Sequence, residues 1–416
     1  MSGARPLAVF KRVHWAADET GMSSPRRTLA AALAALALAG VGAAAPGTAS
    51  ASPGDILVAV NKDSGDPGAI YRYDPSTGQG SIVVSGAQFD RVRDVAVAPD
   101  GAIIAITDGT PTAVLRVDPK TKKVTSILSG SSLAFLRMDI ARDGGILVAG
   151  SNGNLSGVLR VDPDNGKVTT VQQLSGAVAL DTGPTGRLWA ATWSQVFGPD
   201  RFNVNWGPVI LNGQRPQMAS SVAEIAPHAQ LGTRVLVAEQ FQHRLIEVNA
   251  DFQTTGSVVG PNPFSEIRDI ARMPNGDVIV TDPKGSPKPG LVGTIWRVHR
   301  NDDFGSYSVR SVAAGPPLPG LDGVAIEPPR CGGRSATLVG SPRADVISGG
   351  KRGEVIAGLG GRDVIRGGGG NDLICGGKGR DKLLGGAGLD RHFGGAGRDA
   401  CAAEGERGRD CERLTG

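Results

Sequence analysis

Seven acidic residues, Asp345, Glu354, Asp363, Asp372, Asp381, Asp390 and Asp399, recur at an unbroken spacing of nine. Glycines keep a fixed register to them, at positions 1, 2 and 4 of a nine-residue unit whose acid is position 6. The best aligned are Gly358, Gly361, Gly367, Gly368, Gly370, Gly376, Gly377, Gly379, Gly385, Gly386 and Gly388. Position 8 is aliphatic in five successive units, at Ile347, Ile356, Ile365, Ile374 and Leu383. One carboxylate per unit, set among backbone carbonyls that no side chain shields, is an all-oxygen donor set. Its natural guest is a hard divalent cation.

Elementary energetics say that such a segment needs that guest. Ordering backbone costs about 1–2 kcal/mol per residue, and glycine lies at the costly end. A nine-residue unit therefore costs on the order of 9–18 kcal/mol. Burying its one sizeable apolar side chain returns only about 1.5–3 kcal/mol. Stacked strands lie about 4.8 Å apart, so coil upon coil would bring carboxylates together. Two such charges repel by about 3 kcal/mol at an effective dielectric near 20. Without metal the segment is expected to be disordered. Calcium, with six to eight oxygens in flexible geometry, reverses both terms, whereas magnesium suits a carbonyl-rich cage poorly.

The pattern G-G-x-G-x-D-x-U-x over residues 340–402 resembles the haemolysin-type (RTX) calcium-binding repeat. The resemblance implies a parallel β-roll in which each coil uses two units. It further implies several calcium ions between turns on the same side, bridging units n and n+2, so that seven units offer up to five such sites. Both ends depart from the pattern. Ser341 and Arg343 stand where glycines belong, as do Arg352 and Leu359, and Glu354 replaces Asp. His392 and Cys401 replace the aliphatic residue. Units 358–393 are therefore the expected best sites, with degenerate caps around them. Arg362, Arg380 and Arg398 directly precede acids, which predicts millimolar affinity, suited to an extracellular module.

The elements ahead of the tail repeat with a period near 45 from residue 54 to about 328. RDVAVAPDGAIIAITD (93–108), LRMDIARDGGILVAG (136–150) and RDIARMPNGDVIVTD (268–282) are one half of the unit. IYRYDPSTGQGSIVV (70–84), VLRVDPKTKKVTSIL (114–128) and VLRVDPDNGKVTTV (158–171) are the other. Alternating aliphatics around Asp/Pro/Gly turns mark strands and hairpins. Four strands per repeat predict propeller blades. Innermost strands near Asp94, Asp139, Ala177, Glu224, Asp269 and Asp322 make six blades. The opening strand ILVAV (56–60) and the closing strand GLDGVAIEP (320–328) complete one blade between them, which removes exposed edges. Residues 54–328 resemble the NHL-repeat and gluconolactonase-like six-bladed propellers. The expected fold class is all-β: a six-bladed β-propeller, a linker over 329–339, a calcium-binding β-roll over 340–402 and a disulfide-capped tail over 403–416.

In the resembling propellers the strand starts face an axial channel, and the gluconolactonase-like members hold a metal there. The matching acids are Asp94, Asp139, Glu224 and Asp269, but no Asn joins them and the third blade offers Ala177. Arg93, Arg137 and Arg268 precede three acids of the column, so a ring of Arg–Asp pairs is the alternative to a channel cation. Trp189, Trp193, Phe197, Phe202 and Trp206 crowd one irregular blade, as a stacking platform or as loop packing. Arg72, Arg116, Arg160 and Arg297 share one strand position and read as blade architecture. His228, His243 and His299 lack metal-ligand spacing, and G-x-S-x-G, H-E-x-x-H and phosphate-loop motifs are absent.

Residues 22–51 have the parts of a signal peptide: Arg26 and Arg27, an Ala/Leu run and a small-x-small cleavage site at Ala49–Ala51. Residues 1–21 read as an over-extended start, with Met22 the initiator. The mature chain is expected to be secreted, with no transmembrane anchor after processing. All four cysteines lie in the last 86 residues, and an oxidising compartment favours disulfides. Cys331–Cys375 and Cys401–Cys411 are the expected pairs, among three connectivities that four cysteines allow. A net charge of +4 from 44 basic and 40 acidic residues is too mild for a nucleic-acid partner. The expected role is calcium binding by the roll, with the propeller binding an unknown extracellular ligand or surface. The alternative is a metal-dependent propeller hydrolase or lactonase with the roll as a stabilising appendage.

Overall fold

The computed structural model describes residues 54–402, apart from 63–66, 184–186, 194, 199–206, 210–218, 229–231, 241, 250–253, 261–262 and 302–305. The expected leader and the tail over 403–416 lie outside the described residues. Six four-stranded antiparallel sheets form the propeller, with innermost strands Leu321–Ile326, Val92–Val97, Ala134–Ile140, Ala177–Asp181, Ala219–His228 and Asp269–Arg272. The expected strand starts all fall on these strands.

Closure comes from the two ends of the domain. Ile56–Val60 pairs antiparallel with Leu321–Ile326, Ile56 opposite Ile326 and Val58 opposite Val324. The sheet continues outward through Ala69–Tyr73 and Gly80–Ser85. Ile56, Leu57, Val58 and Ala59 are all fully buried, because each face of a blade packs on a neighbour. Leu57 and Ala59 join Phe89, Val95 and Ile103 of the next blade. Ile56 and Val58 join Ile279 and Ile295 of the preceding one. Local sequence shapes the outer hairpins. In DPSTG, DPKTK and DPDNG the Asp Oδ1 accepts backbone N–H bonds two and three residues on, as Asp118 does from Lys120 and Thr121, an Asx turn. The turn ends in the left-handed region at Gly78, Lys122 and Gly166. The arginine column is architectural as read: Arg116, Arg160 and Arg297 pair with Asp100, Asp143 and Asp277 on turns of their own blades.

Beyond residue 329 the chain makes a small hairpin, Arg330–Cys331 with Arg334–Ser335, and enters two parallel sheets. One carries Leu338–Val339, Val355–Ala357, Leu373–Gly379 and Arg391–Gly397. The other carries Val346–Ser348, Val364–Gly369, Lys382–Ala387 and Ala400–Ala402. Register partners are 18 residues apart, as in Ile356 with Ile374 and Ile365 with Leu383. Each coil therefore consumes two units, the stated implication of the resemblance. Between the sheets Ile356, Ile365, Ile374 and Leu383 are fully buried. On the outer face of the first sheet, the Cys331–Cys375 disulfide ties the hairpin down over Val355, Leu373 and Phe393. Its expected companion, Cys401–Cys411, ends on a residue outside the described ones.

The closing strand makes a direct stability test. Leu57→Ala removes a fully buried side chain with little room for its surroundings to collapse. A loss of about 2–5 kcal/mol in chemical denaturation is expected, and the calcium response of the roll should survive in conditions where the propeller stays folded.

Candidate metal centre

Four acids of the nonapeptide row, Asp363, Asp372, Asp381 and Asp390, divide their labour in the same way. One oxygen builds the coil and the other has no hydrogen-bond partner. The Oδ1 of Asp363, Asp372, Asp381, Asp390 and Asp399 accepts the backbone N–H of the acid 18 residues earlier, at 2.7–3.0 Å. The Oδ2 of Asp363, Asp372, Asp381 and Asp390, with Glu354 Oε2, is buried and has no hydrogen-bond partner. A buried unpaired carboxylate oxygen is costly. Five in one register make a row of acceptors of the kind that a hard cation takes.

Glycine at position 1 makes the room. A Cβ at Gly376 would lie 2.5 Å from Asp381 Oδ2 and 2.7 Å from the Gly394 carbonyl oxygen. At Gly367 it would meet Asp372 Oδ2 at 2.2 Å and the Gly385 oxygen at 2.4 Å. A carboxylate and a carbonyl from the next coil thus converge on a space that only glycine leaves open, which is a hard-cation donor set. Positions 2 and 4 need φ beyond ordinary side chains: Gly377 and Gly379 have φ of 109° and 137°. Leu359, a departure at position 2, still adopts φ 78°, so the coil imposes its geometry on a residue that disfavours it. Among the described residues no group of three or more His, Cys, Asp or Glu side chains gathers as one ligand set. The roll instead offers one carboxylate at a time, supplemented by backbone.

Metal-free electrostatics follow. Burial pushes the Asp363 carboxyl up to about 7, with the charges of Asp381 and Asp345 adding to it. Burial likewise raises Asp372, Asp381 and Glu354, each with a neighbouring carboxylate contributing. The first unit behaves differently. Asp345 Oδ2 accepts the Ser341 N–H at 2.6 Å and its hydroxyl at 2.9 Å, so the serine that displaced a glycine satisfies the acid itself.

The propeller's channel acids are also engaged. Asp94 accepts the N–H groups of Val95 and Met138 at 2.9 and 2.6 Å. Asp139 accepts those of Ile140 and Thr182 at 2.7 and 2.6 Å, and Asp269 those of Ile270 and Val324 at 2.9 and 2.8 Å. Each carboxylate ties its own innermost strand to the next blade's, and burial raises all three. Glu224 instead accepts the Trp189 indole N–H at 3.0 Å. In the preceding blade Asp181 does the stapling, accepting the Glu224 N–H at 2.8 Å. It sits at the end of the strand that Ala177 opens, so inspection of strand starts misses it. The four acids are not brought into one ligand set. Arg137 lies across the axis, donating to the carbonyls of Arg93 and Leu136, both at 3.0 Å, to that of Arg268 at 2.8 Å, and to Asp322 at 2.9 Å. Burial opposes its charge, but Asp269, Asp322 and Asp94 outweigh burial and hold it protonated.

An axial cavity of about 260 Å³ is lined by inner-strand residues, among them Arg142 and Arg272, and by Ala336–Val339 at the entry to the roll. Arg352 of the roll pairs with Asp143 of the propeller at 2.9 Å. The charges of Glu354 and Asp345 bear on Arg142 and Arg272 respectively. In the aromatic cluster, Trp189 and Phe197 are buried in their blade while Trp193 is 46% exposed. Phe202 and Trp206 lie outside the described residues.

Comparison with known proteins supports the repeat assignment. Residues 348–383 and 376–400 match the family described as RTX calcium-binding nonapeptide repeat (4 copies). No curated protein matches the chain. Similar solved structures include one from a nidogen/laminin complex, at 11% identity and TM-score 0.49, covering 65% of this chain and 97% of that one. TolB from Acinetobacter baumannii aligns at 15% identity and TM-score 0.45, covering 62% and 67%. A protein of unknown function from Bacteroides caccae aligns at 14% and 0.45, covering 66% and 99%. Likeness at this level extends to neither ligand nor activity. Among the described residues no helix is long and apolar enough to cross a membrane.

Two outcomes test this electrostatic picture. A raised carboxyl favours the protonated folded form. Metal-free stability from Asp363 is therefore present below the unfolded value near 4 and lost as pH rises toward about 7. Calcium must displace that proton, so apparent calcium affinity should rise between about pH 5 and 7 and then level off. Circular dichroism with and without calcium across that range reads both effects. Separately, Asp269→Ala strands the Val324 N–H and removes a partner of Arg137. It should cost about 1–3 kcal/mol in urea denaturation, with the calcium response retained.

Proposed function

We propose that this chain is a secreted calcium-binding protein whose β-roll holds several Ca²⁺ ions and whose propeller serves as an extracellular binding or scaffold module. The observation that carries the reading is the row of buried, partnerless carboxylate oxygens on Glu354, Asp363, Asp372, Asp381 and Asp390. Calcium would take these oxygens together with backbone of Gly358, Gly361, Gly367, Gly368, Gly370, Gly376, Gly377, Gly379, Gly385, Gly386 and Gly388. It would neutralise the stacked charge and cross-link coils that hydrogen bonds alone hold weakly. Asp399 belongs to the same row at its far end, and Asp345 is the weakest member because Ser341 already occupies it.

Secretion is supported by the leader-like composition of residues 22–51 and by the Cys331–Cys375 disulfide, which an oxidising compartment favours. A roll that orders only in calcium would remain extensible during export and fold outside. The hydrolase or lactonase reading draws no support from the channel, where Asp94, Asp139 and Asp269 each spend one oxygen on the next residue of their own strand and the other on the adjacent blade.

Calcium titration of the whole chain tests the proposal, read by equilibrium dialysis and by protection of the roll from trypsin, with magnesium as control. Protection is expected at about 0.1–1 mM calcium and not with equal magnesium. Asp372→Asn combined with Asp381→Asn should lower the number of bound ions and raise the midpoint several-fold. No calcium-dependent protection at about 10 mM would overturn the proposal.

A further inference from the structure

We propose that the calcium-loaded roll binds a strand of sulfated polysaccharide along a row of arginines on its surface. The inference goes beyond the calcium reading of the roll and rests on it. Residues 340–402 hold ten Lys and Arg residues and seven acids. All ten cations are exposed, and none of the seven acids is. Glu354, Asp363, Asp372 and Asp381 are buried, and Asp345, Asp390 and Asp399 are half-buried. These acids form the row that calcium would neutralise, so the surface charge of the loaded roll is that of its cations.

Seven of the ten cations belong to the four units whose strands form the second parallel sheet. Within those units Arg362, Arg380 and Arg398 each directly precede an acid. The Asp363 N–H reaches Asp381 and the Asp381 N–H reaches Asp399. The three arginines are therefore stacked at the coil pitch, about the 4.8 Å between paired strands. Arg343 and Lys378 lie on the same turns. Arg366 and Lys382 stand on the outer face of the adjoining sheet, because Ile365 and Leu383 beside them point inward. Among the described residues none of the seven has an ion-pair partner. Elsewhere on the roll, Arg352 is held by Asp143 and Arg391 lies over the Phe393 ring. Stacked like charges repel, so the ladder calls for a counter-charge of its own length.

Shape and chemistry select within anions. A ladder one residue wide fits a strand and not a plane, which sets it apart from a membrane surface. Phosphates of duplex DNA wind away from a straight row. A 1→4-linked pyranose ring is about as long as one coil pitch, so successive rings would set one anion beside each arginine. The guanidinium fork takes two oxygens of an oxyanion at once. Phosphates and dense carboxylates are themselves good calcium ligands and would compete with the roll for its ions. A sulfate monoester spreads a single charge over three oxygens and binds calcium weakly. Sulfate is thus the anion that leaves the calcium-loaded roll intact.

Isothermal titration of the whole, calcium-loaded chain with cellulose sulfate tests the inference. Carboxymethyl cellulose and hydroxyethyl cellulose share the backbone and serve as carboxylate and neutral comparisons, and duplex DNA serves as the other class of polyanion. Cellulose sulfate should bind at least about tenfold more tightly than any of the three, and added salt should weaken it. Chelating calcium should also cost at least about tenfold. Arg362→Gln combined with Arg380→Gln and Arg398→Gln should lose at least about tenfold, while Lys351→Gln, on the opposite turn, should stay within about twofold. Arg380→Gln alone should lose several-fold and decides the matter if the triple variant does not fold. No binding by the unaltered chain would overturn the inference, as would equal or tighter binding of any comparison polymer. Binding that is unchanged by chelation, or reduced as much by Lys351→Gln as by Arg380→Gln, would overturn it too. Equilibrium dialysis of calcium on the same samples separates the two readings. Calcium bound without polysaccharide sinks this inference alone, and no calcium bound sinks the calcium reading itself.

Discussion

A carboxylate stacked on the carboxylate two units before it is the constraint on which the roll depends. The hydrogen bond from each acid's N–H to the Oδ1 of the acid 18 residues on fixes the pitch of the coil. The same bond fixes the spacing of the charges. Geometry that orders the backbone therefore also concentrates negative charge in a buried row, and burial compounds the cost. Burial and the neighbouring carboxylates raise the Asp363 carboxyl, so a proton there relieves part of that cost at acid pH. A divalent cation relieves it better, because it supplies two charges to oxygens already converged.

Acids in the propeller do the opposite work with the same chemical group. Asp94, Asp139, Asp181 and Asp269 each turn one carboxylate oxygen to a backbone N–H group of the adjacent blade. A circular sheet stack needs fasteners between neighbours that share no ladder of hydrogen bonds, and these side chains provide them near the axis. Arg137 then neutralises several acids at once. Carboxylate with N–H on both oxygens is structural. Carboxylate with one oxygen orphaned is poised for a cation. That distinction separates the two domains without appeal to their folds.

The junction between them is polar and specific. Ala336–Val339 borders the axial cavity, Arg352 pairs with Asp143, and Glu354 and Asp345 bear on propeller arginines. The first coil, whose sequence departs most from the repeat, is thus the one whose acids bear on propeller arginines. One departure has a physical rationale: Ser341 hydrogen-bonds the Asp345 oxygen that the glycine of other units leaves open.

Sequence by itself determined the periods, and through them both architectures. A nine-residue register of glycine and acid admits few folds, because glycine at positions 2 and 4 permits φ values that other residues resist. A repeat near 45 with Asx turns dictates hairpins, and the two half-blades at its ends dictate closure. The stacked row of acids was legible for the same reason: one-dimensional spacing becomes one-dimensional stacking. What only the tertiary structure decided is where each carboxylate oxygen goes. Asp94 and Asp381 are both buried aspartates, yet one faces the N–H groups of a neighbouring strand and the other faces a space left by glycine. Asp181 stood outside the expected column because its role depends on the blade beside it, and Glu224 turned to an indole that no spacing reveals. Those outcomes depend on contacts between segments some 40 residues apart, which a local pattern does not encode.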